Sequence, residues 1–156
     1  LGDVYKRQVF NQEIKLNKIL LTIIALFFAN TLSAATVEIE MLNRLGKESM
    51  VYSESIVNIQ SGDTVKWLAT TKGHNVQFLT TPEGVGAFRS KLNIDTEYTF
   101  TVPGIYLYQC TPHKNMGMIA VVVVDNNLDN IEAISSSKVA GKSKGRLAKI
   151  IDTLNS

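Results

Sequence analysis

The chain has 156 residues, 45% of them hydrophobic and 19% charged, with 3 prolines and 10 glycines. That is enough for one domain with an apolar core and too little for two, and it excludes a disordered or low-complexity chain. The formal net charge is +2, from 16 Lys and Arg against 14 Asp and Glu, so bulk charge gives no reason to expect a nucleic-acid partner.

Lys15 and Lys18 precede an apolar run of 11 residues, Ile19 to Ala29, and Ser33-Ala34-Ala35 supplies small residues for cleavage. Residues 15–35 therefore read as a secretory signal peptide cut after Ala35, which places the mature protein in the periplasm. A membrane span needs about 20 residues, so no stable membrane anchor is expected. Residues 1–14 fit neither part and read as an upstream or non-native segment, with the true start near Ile14. Loss of residues 1–35 removes Lys6, Arg7, Lys15, Lys18, Asp3 and Glu13, which leaves 12 charges of each sign and a net charge of zero. The single cysteine, Cys110, cannot form an internal disulfide. In an oxidising compartment a lone thiol is expected to be buried, joined to another chain or bound to metal.

Thr36 to Leu42 alternates, with Val37, Ile39 and Met41 on one face and Glu38 and Glu40 on the other, which predicts a half-buried strand. Further short strands are predicted at 56–60, 64–69, 75–79, 96–102, 104–109 and 118–124, separated by Ser61-Gly62-Asp63, Lys72-Gly73, Pro82-Glu83-Gly84 and Pro103-Gly104. Such strands with no helix between them predict an all-β antiparallel sandwich or barrel over residues 36–125. The run ending at Val124 is apolar throughout, which predicts a central strand buried on both faces. After Asp125 the period changes. Leu128, Ile131 and Ile134 are spaced by three, after Asn126-Asn127 as candidate caps, and Leu147, Ile150, Ile151 and Leu154 recur at helical spacing. Two short amphipathic helices are predicted within 126–156, packed on the sandwich. Lys138, Lys142, Lys144, Arg146 and Lys149 make the second basic, which reads as a solvated face.

Chemistry concentrates in Tyr108-Gln109-Cys110-Thr111-Pro112-His113-Lys114-Asn115-Met116-Gly117-Met118, where a thiol, an imidazole and a thioether fall within nine residues between two predicted strands. Soft sulfur with imidazole nitrogen selects copper over magnesium, calcium or manganese, although tetrahedral nitrogen and sulfur ligation also suits zinc. Pro112 stiffens this loop. The only other histidine is His74, in Lys72-Gly73-His74-Asn75-Val76, where a turn leads into a strand. Either Met116 or Met118 has a spacing compatible with a further ligand.

Gly73-His74-Asn75-Val76, the Cys110-Thr111-Pro112-His113 loop with Met118 five residues on, and a first strand ending Met41-Leu42-Asn43 resemble the pseudoazurin group of the cupredoxin family. The resemblance runs from about Thr36 to the C-terminus and includes both terminal helices. It implies a Greek-key β-sandwich of about eight strands and one type 1 copper ion cycling between Cu(I) and Cu(II). His74, Cys110 and His113 would be equatorial ligands and Met118 the long axial one. It also implies that Asn75 ties the two ligand loops together, with its backbone N–H donating to the Cys110 sulfur. Met116, with Pro112, then belongs to an apolar rim around an exposed edge of His113.

Two residues depart from the pattern: Gln109, where related proteins often carry Lys, and Lys114, where an aromatic residue is common. The basic ring for partner docking is then expected from Arg44, Lys72, Arg89, Lys91 and Lys114. The resemblance implies a carrier, not an enzyme. It would take electrons from a cytochrome c or the respiratory chain and pass them to a denitrification reductase such as copper nitrite reductase. A copper oxidase would need more histidines than the two present. The alternative is a copper carrier or storage protein.

Overall fold

The computed structural model describes residues 33–156; the expected upstream segment, and the leader before Ser33, lie outside them. The strands are β1 (Thr36–Leu45), β2 (Glu48–Tyr52), β3 (Ile56–Ile59), β4 (Thr64–Leu68), β5 (Gln77–Thr80), β6 (Thr96–Thr99), β7 (Gly104–Gln109) and β8 (Ile119–Val124). Two helices follow, α1 (Ile131–Ser135) and α2 (Ser143–Leu154). The strands form two four-stranded sheets, ordered β2-β1-β4-β6 and β3-β8-β7-β5. The all-β sandwich with two C-terminal helices is as expected, but its sheets are mixed. β1 runs parallel to β4 and β3 parallel to β8, while the other pairs are antiparallel. Periodicity gives a strand its faces and says nothing about the direction of its neighbour.

Alternation decides which side chains meet between the sheets. Ile39, Met41, Val65, Trp67 and Phe100 pack there against Val57, Ile59, Phe78, Tyr106, Tyr108, Val122 and Val124. The opposite faces of β7 and β8 carry Ile105, Leu107, Ile119, Val121 and Val123, and these are covered by Ile134, Leu147 and Ile150 of the helices. All six residues of β8 are buried, as its unbroken apolar run predicts, because one face meets a sheet and the other meets helices. Among the described residues, no helix is long and apolar enough to cross a membrane.

The local structure departs from expectation at several points. β2 was not expected, because Met50 has a positive φ of 53° and Val51 and Tyr52 are both buried, which breaks the two-residue period. The strand at 75–79 begins at Gln77 and that at 96–102 ends at Thr99. Asn126-Asn127 do not cap α1: Asn126 lies in the turn out of β8, with φ 51°, and Asn127 bonds to Asp129. Asn130 precedes α1, and its carboxamide instead pairs with both backbone groups of Ile105 at 2.8 Å. Ala35, expected as the last residue of the leader, is bonded into the sandwich: its N–H donates to Asp63 Oδ1 at 2.7 Å and its carbonyl accepts from Thr64 N–H at 2.8 Å.

Ile134 is fully buried between α1 and the β7–β8 face. Ile134→Ala is expected to lower stability by about 2–5 kcal/mol, read as a lower urea midpoint; a loss within error would mean that the helical layer does not belong to the cooperative core.

Candidate metal centre

The inward face of β7 carries Tyr106 and Tyr108, and the same two-residue step puts Cys110 just beyond the strand, buried in the inter-sheet core. The chain then turns through 111–117, bonded internally by His113 N–H to the Cys110 carbonyl at 3.2 Å and Met116 N–H to the His113 carbonyl at 2.9 Å. Cys110 N–H donates to the Met118 carbonyl at 3.0 Å and closes the loop at its base. His74 arrives from the segment between β4 and β5. Gly73 has a φ of 97°, and a Cβ there would sit 3.6 Å from His113 Cε1; the left-handed turn brings one ligand segment against the other.

These two segments bring Cys110 Sγ within 3.7 Å of His74 Nδ1 and 3.4 Å of His113 Nδ1, and the two Nδ1 atoms within 3.2 Å of each other. An ion at about 2.0–2.3 Å from each of three nitrogen and sulfur donors separates them by roughly 3.3–3.7 Å. The triangle therefore fits a single metal ion. His74 and Cys110 are fully buried and His113 is partly exposed. Met118 is 0% exposed and shares the core cluster of Cys110, whereas Met116 is 44% exposed. The structure thus separates two methionines that spacing alone leaves equivalent.

Hydrogen bonds within the chain orient the ligand segments. His74 Nε2 donates to Asn43 Oδ1 at 2.9 Å and lies 3.1 Å from Thr71 Oγ1, which leaves Nδ1 as the lone-pair nitrogen. Asn75 Oδ1 accepts from both the N–H and the hydroxyl of Thr111, at 2.9 and 2.7 Å, and joins the two ligand segments. Asn93 accepts from Gly73 N–H and donates its own N–H to the His74 carbonyl at 3.0 Å. Thr71 and Asn93 were not foreseen. Polar residues in irregular segments carry no periodic signal, and Asn93 acquires its place through a φ of 62°. Pro112 is exposed beside His113, and Arg44, Lys72, Arg89, Lys91 and Lys114 are all exposed. Each lies within two residues of Asn43, His74, Ser90 or His113, with Ser90 receiving the Asn75 amide and Val76 N–H.

Burial pushes the Cys110 thiol up from its ordinary value, and the backbone N–H groups of Asn75 and His113 pull it back in part. Burial lowers His113, and burial followed by the charge of His113 lowers His74 to about 4. Both imidazoles are therefore neutral at pH 7, the state in which nitrogen can ligate. In the metal-free protein the unfolded chain binds the extra protons, so stability is complete above the ordinary histidine value of 6.5 and falls as pH drops toward 4. Urea midpoints of the metal-free protein should decline across that window, with a shallower slope in His74→Gln; equal slopes would contradict the shift.

Residues 39–125 match the family model of copper-binding proteins, plastocyanin/azurin family. The pseudoazurin of Paracoccus pantotrophus is 38% identical over 73% of this chain and 80% of its own, and that of Methylorubrum extorquens is 37% identical over 72% and 79%. Among solved structures, a Sinorhizobium pseudoazurin superposes with a TM-score of 0.75 at 37% identity, covering 78% of this chain and 98% of that one. The pseudoazurin of Hyphomicrobium denitrificans superposes with a TM-score of 0.71 at 30% identity, covering 76% and 97%. With a largely buried triad of one thiol and two imidazoles on a sandwich of this topology, the chain belongs to the plastocyanin/azurin family of copper-binding proteins, in its pseudoazurin group.

Proposed function

We propose that this copper electron carrier works in the periplasm, receiving single electrons from a cytochrome c or the respiratory chain and passing them to a denitrification reductase such as copper nitrite reductase. The observation that carries the electron-transfer reading is the convergence of Cys110 Sγ and two Nδ1 atoms in one largely buried pocket. In this reading His74, Cys110 and His113 hold the ion, and the buried thioether of Met118 is the fourth donor. Bound there, copper supplies reversible gain and loss of one electron.

The protein residues do the rest. Asn43 fixes the His74 ring, and Asn75 holds the two ligand segments at constant separation. A ligand set made only of protein atoms leaves no position for substrate, and a rigid one changes little between oxidation states. Burial of Cys110 and Met118 keeps water from the sulfur ligands, while partly exposed His113 gives a partner its nearest approach. Met116 and Pro112 supply an apolar rim beside it. Among the described residues, Arg44, Lys72, Arg89, Lys91 and Lys114 form no ion pairs, so their charge is free to steer an acidic partner.

The copper-loaded protein should show an intense visible thiolate-to-copper band, with a paramagnetic-resonance signal of small hyperfine splitting, and Cys110→Ala should abolish the band. A colourless copper form, or a band that survives the substitution, would overturn the assignment. Rapid release of copper to an acceptor, without a reversible potential, would instead support a copper carrier or storage role.

Partner choice has its own test. Electron transfer to copper nitrite reductase, followed by stopped flow, should slow roughly tenfold from low to high salt and should slow at low salt in Lys114→Glu. A rate insensitive to both would reject this docking surface and partner.

A further inference from the structure

The loop between Cys110 and Met118 is fixed at its ends by β7 and β8, yet two backbone carbonyls in its middle are satisfied from outside. Ser143, the first residue of α2, is 1% exposed and donates its hydroxyl to the Lys114 carbonyl at 2.6 Å. Lys142 N–H donates to the Asn115 carbonyl at 2.9 Å. Gly141 has a φ of 56°, and a Cβ there would collide with the backbone of Asn115. Gly117, with a φ of 101°, would place a Cβ 3.5 Å from Lys142 Cβ. Two of the four residues between His113 and Met118, Lys114 and Asn115, are therefore hydrogen-bonded to the start of α2, and a third, Gly117, has no room for more than a small side chain beside it.

The start of α2 is itself anchored. Arg146 donates to Glu48 on β2 at 2.6 Å, and β2 pairs with β1, the strand that carries Asn43. Leu147 and Ile150 seat the helix on the outer face of β7 and β8.

We propose that residues 141–146 form a brace for the ligand loop, in which Ser143 is a positioning residue that sets His113 and Met118 through the backbone of the residues between them. The proposal rests on the copper reading above for its functional consequence, but the brace is a property of the polypeptide. A buried hydroxyl placed on a loop carbonyl stabilises one loop conformation over its neighbours, because any other leaves the Ser143 hydroxyl, itself 1% exposed, without its acceptor. The C-terminal helical layer then acts on the geometry of the metal centre as well as covering the sandwich.

The test uses Ser143→Ala, with Ser143→Thr as the conservative control and Gly141→Ala as a second lesion. In the metal-free protein, amide exchange at Met116 and Met118 should rise about tenfold in Ser143→Ala, while the Val121 and Val122 amides of β8 stay at parental rates. Ser143→Thr should restore slow exchange, and Gly141→Ala should mimic the loss. In the copper-loaded protein, Ser143→Ala should change the ratio of the thiolate-to-copper bands and shift the potential, and Ser143→Thr should return both. Parental loop exchange and a parental spectrum in Ser143→Ala, even with a lower melting temperature, would reduce Ser143 to helix docking and overturn the proposal. A parent protein without a blue band would refute the copper reading, while exchange in the metal-free protein would still decide the brace.

Discussion

The rest of the molecule depends on the pairing of β7 with β8, six residues against six in continuous register, with apolar side chains on both faces. One face makes the inter-sheet core and the other the helix-covered core, so the pair is buried twice. At roughly 25 cal/mol per Å² of apolar surface, burial on both faces makes this pair a main source of the fold's stability. Its open end is closed by the bond from Cys110 to Met118. Whatever those residues ligate is held by this continuously paired, doubly buried frame.

A second constraint follows from burying imidazoles. A charged imidazole in this pocket would lose its solvation, and two of them with Nδ1 atoms 3.2 Å apart would repel, so the folded chain holds both neutral. Neutral rings need oriented partners. Asn43 supplies one for His74, and the partly exposed His113 can find its partner in solvent. Asn75 then links the segments at a point where each would otherwise have an unmet amide or hydroxyl. The pocket is thus organised by hydrogen bonds that require no metal, the arrangement expected where little movement should accompany a change in metal charge.

The helical layer joins these two constraints. Its apolar stripe completes the second core, and its first residues meet the ligand loop through Ser143 and Lys142. Arg146 reaches the other sheet through Glu48. Elements distant in the chain thereby converge on the segment that separates His113 from Met118.

The sequence by itself determined the faces of β1, β7 and β8, the helical character of the C-terminus and the scarcity of ligands that singled out His74, Cys110 and His113. Each of these is local: alternation fixes a face, apolar runs fix burial, and two histidines with one cysteine leave few combinations. What only the tertiary structure decided is relational. The parallel pairings of β1 with β4 and β3 with β8, the strand β2 hidden by the positive φ of Met50, and the turning of Asn130 toward Ile105 depend on partners far along the chain. So do the separation of buried Met118 from exposed Met116 and the places of Thr71, Asn93 and Ser143 around the ligand segments. Spacing records how far apart residues lie along the backbone, whereas ligation and hydrogen bonding depend on which backbone segments the packed cores bring together.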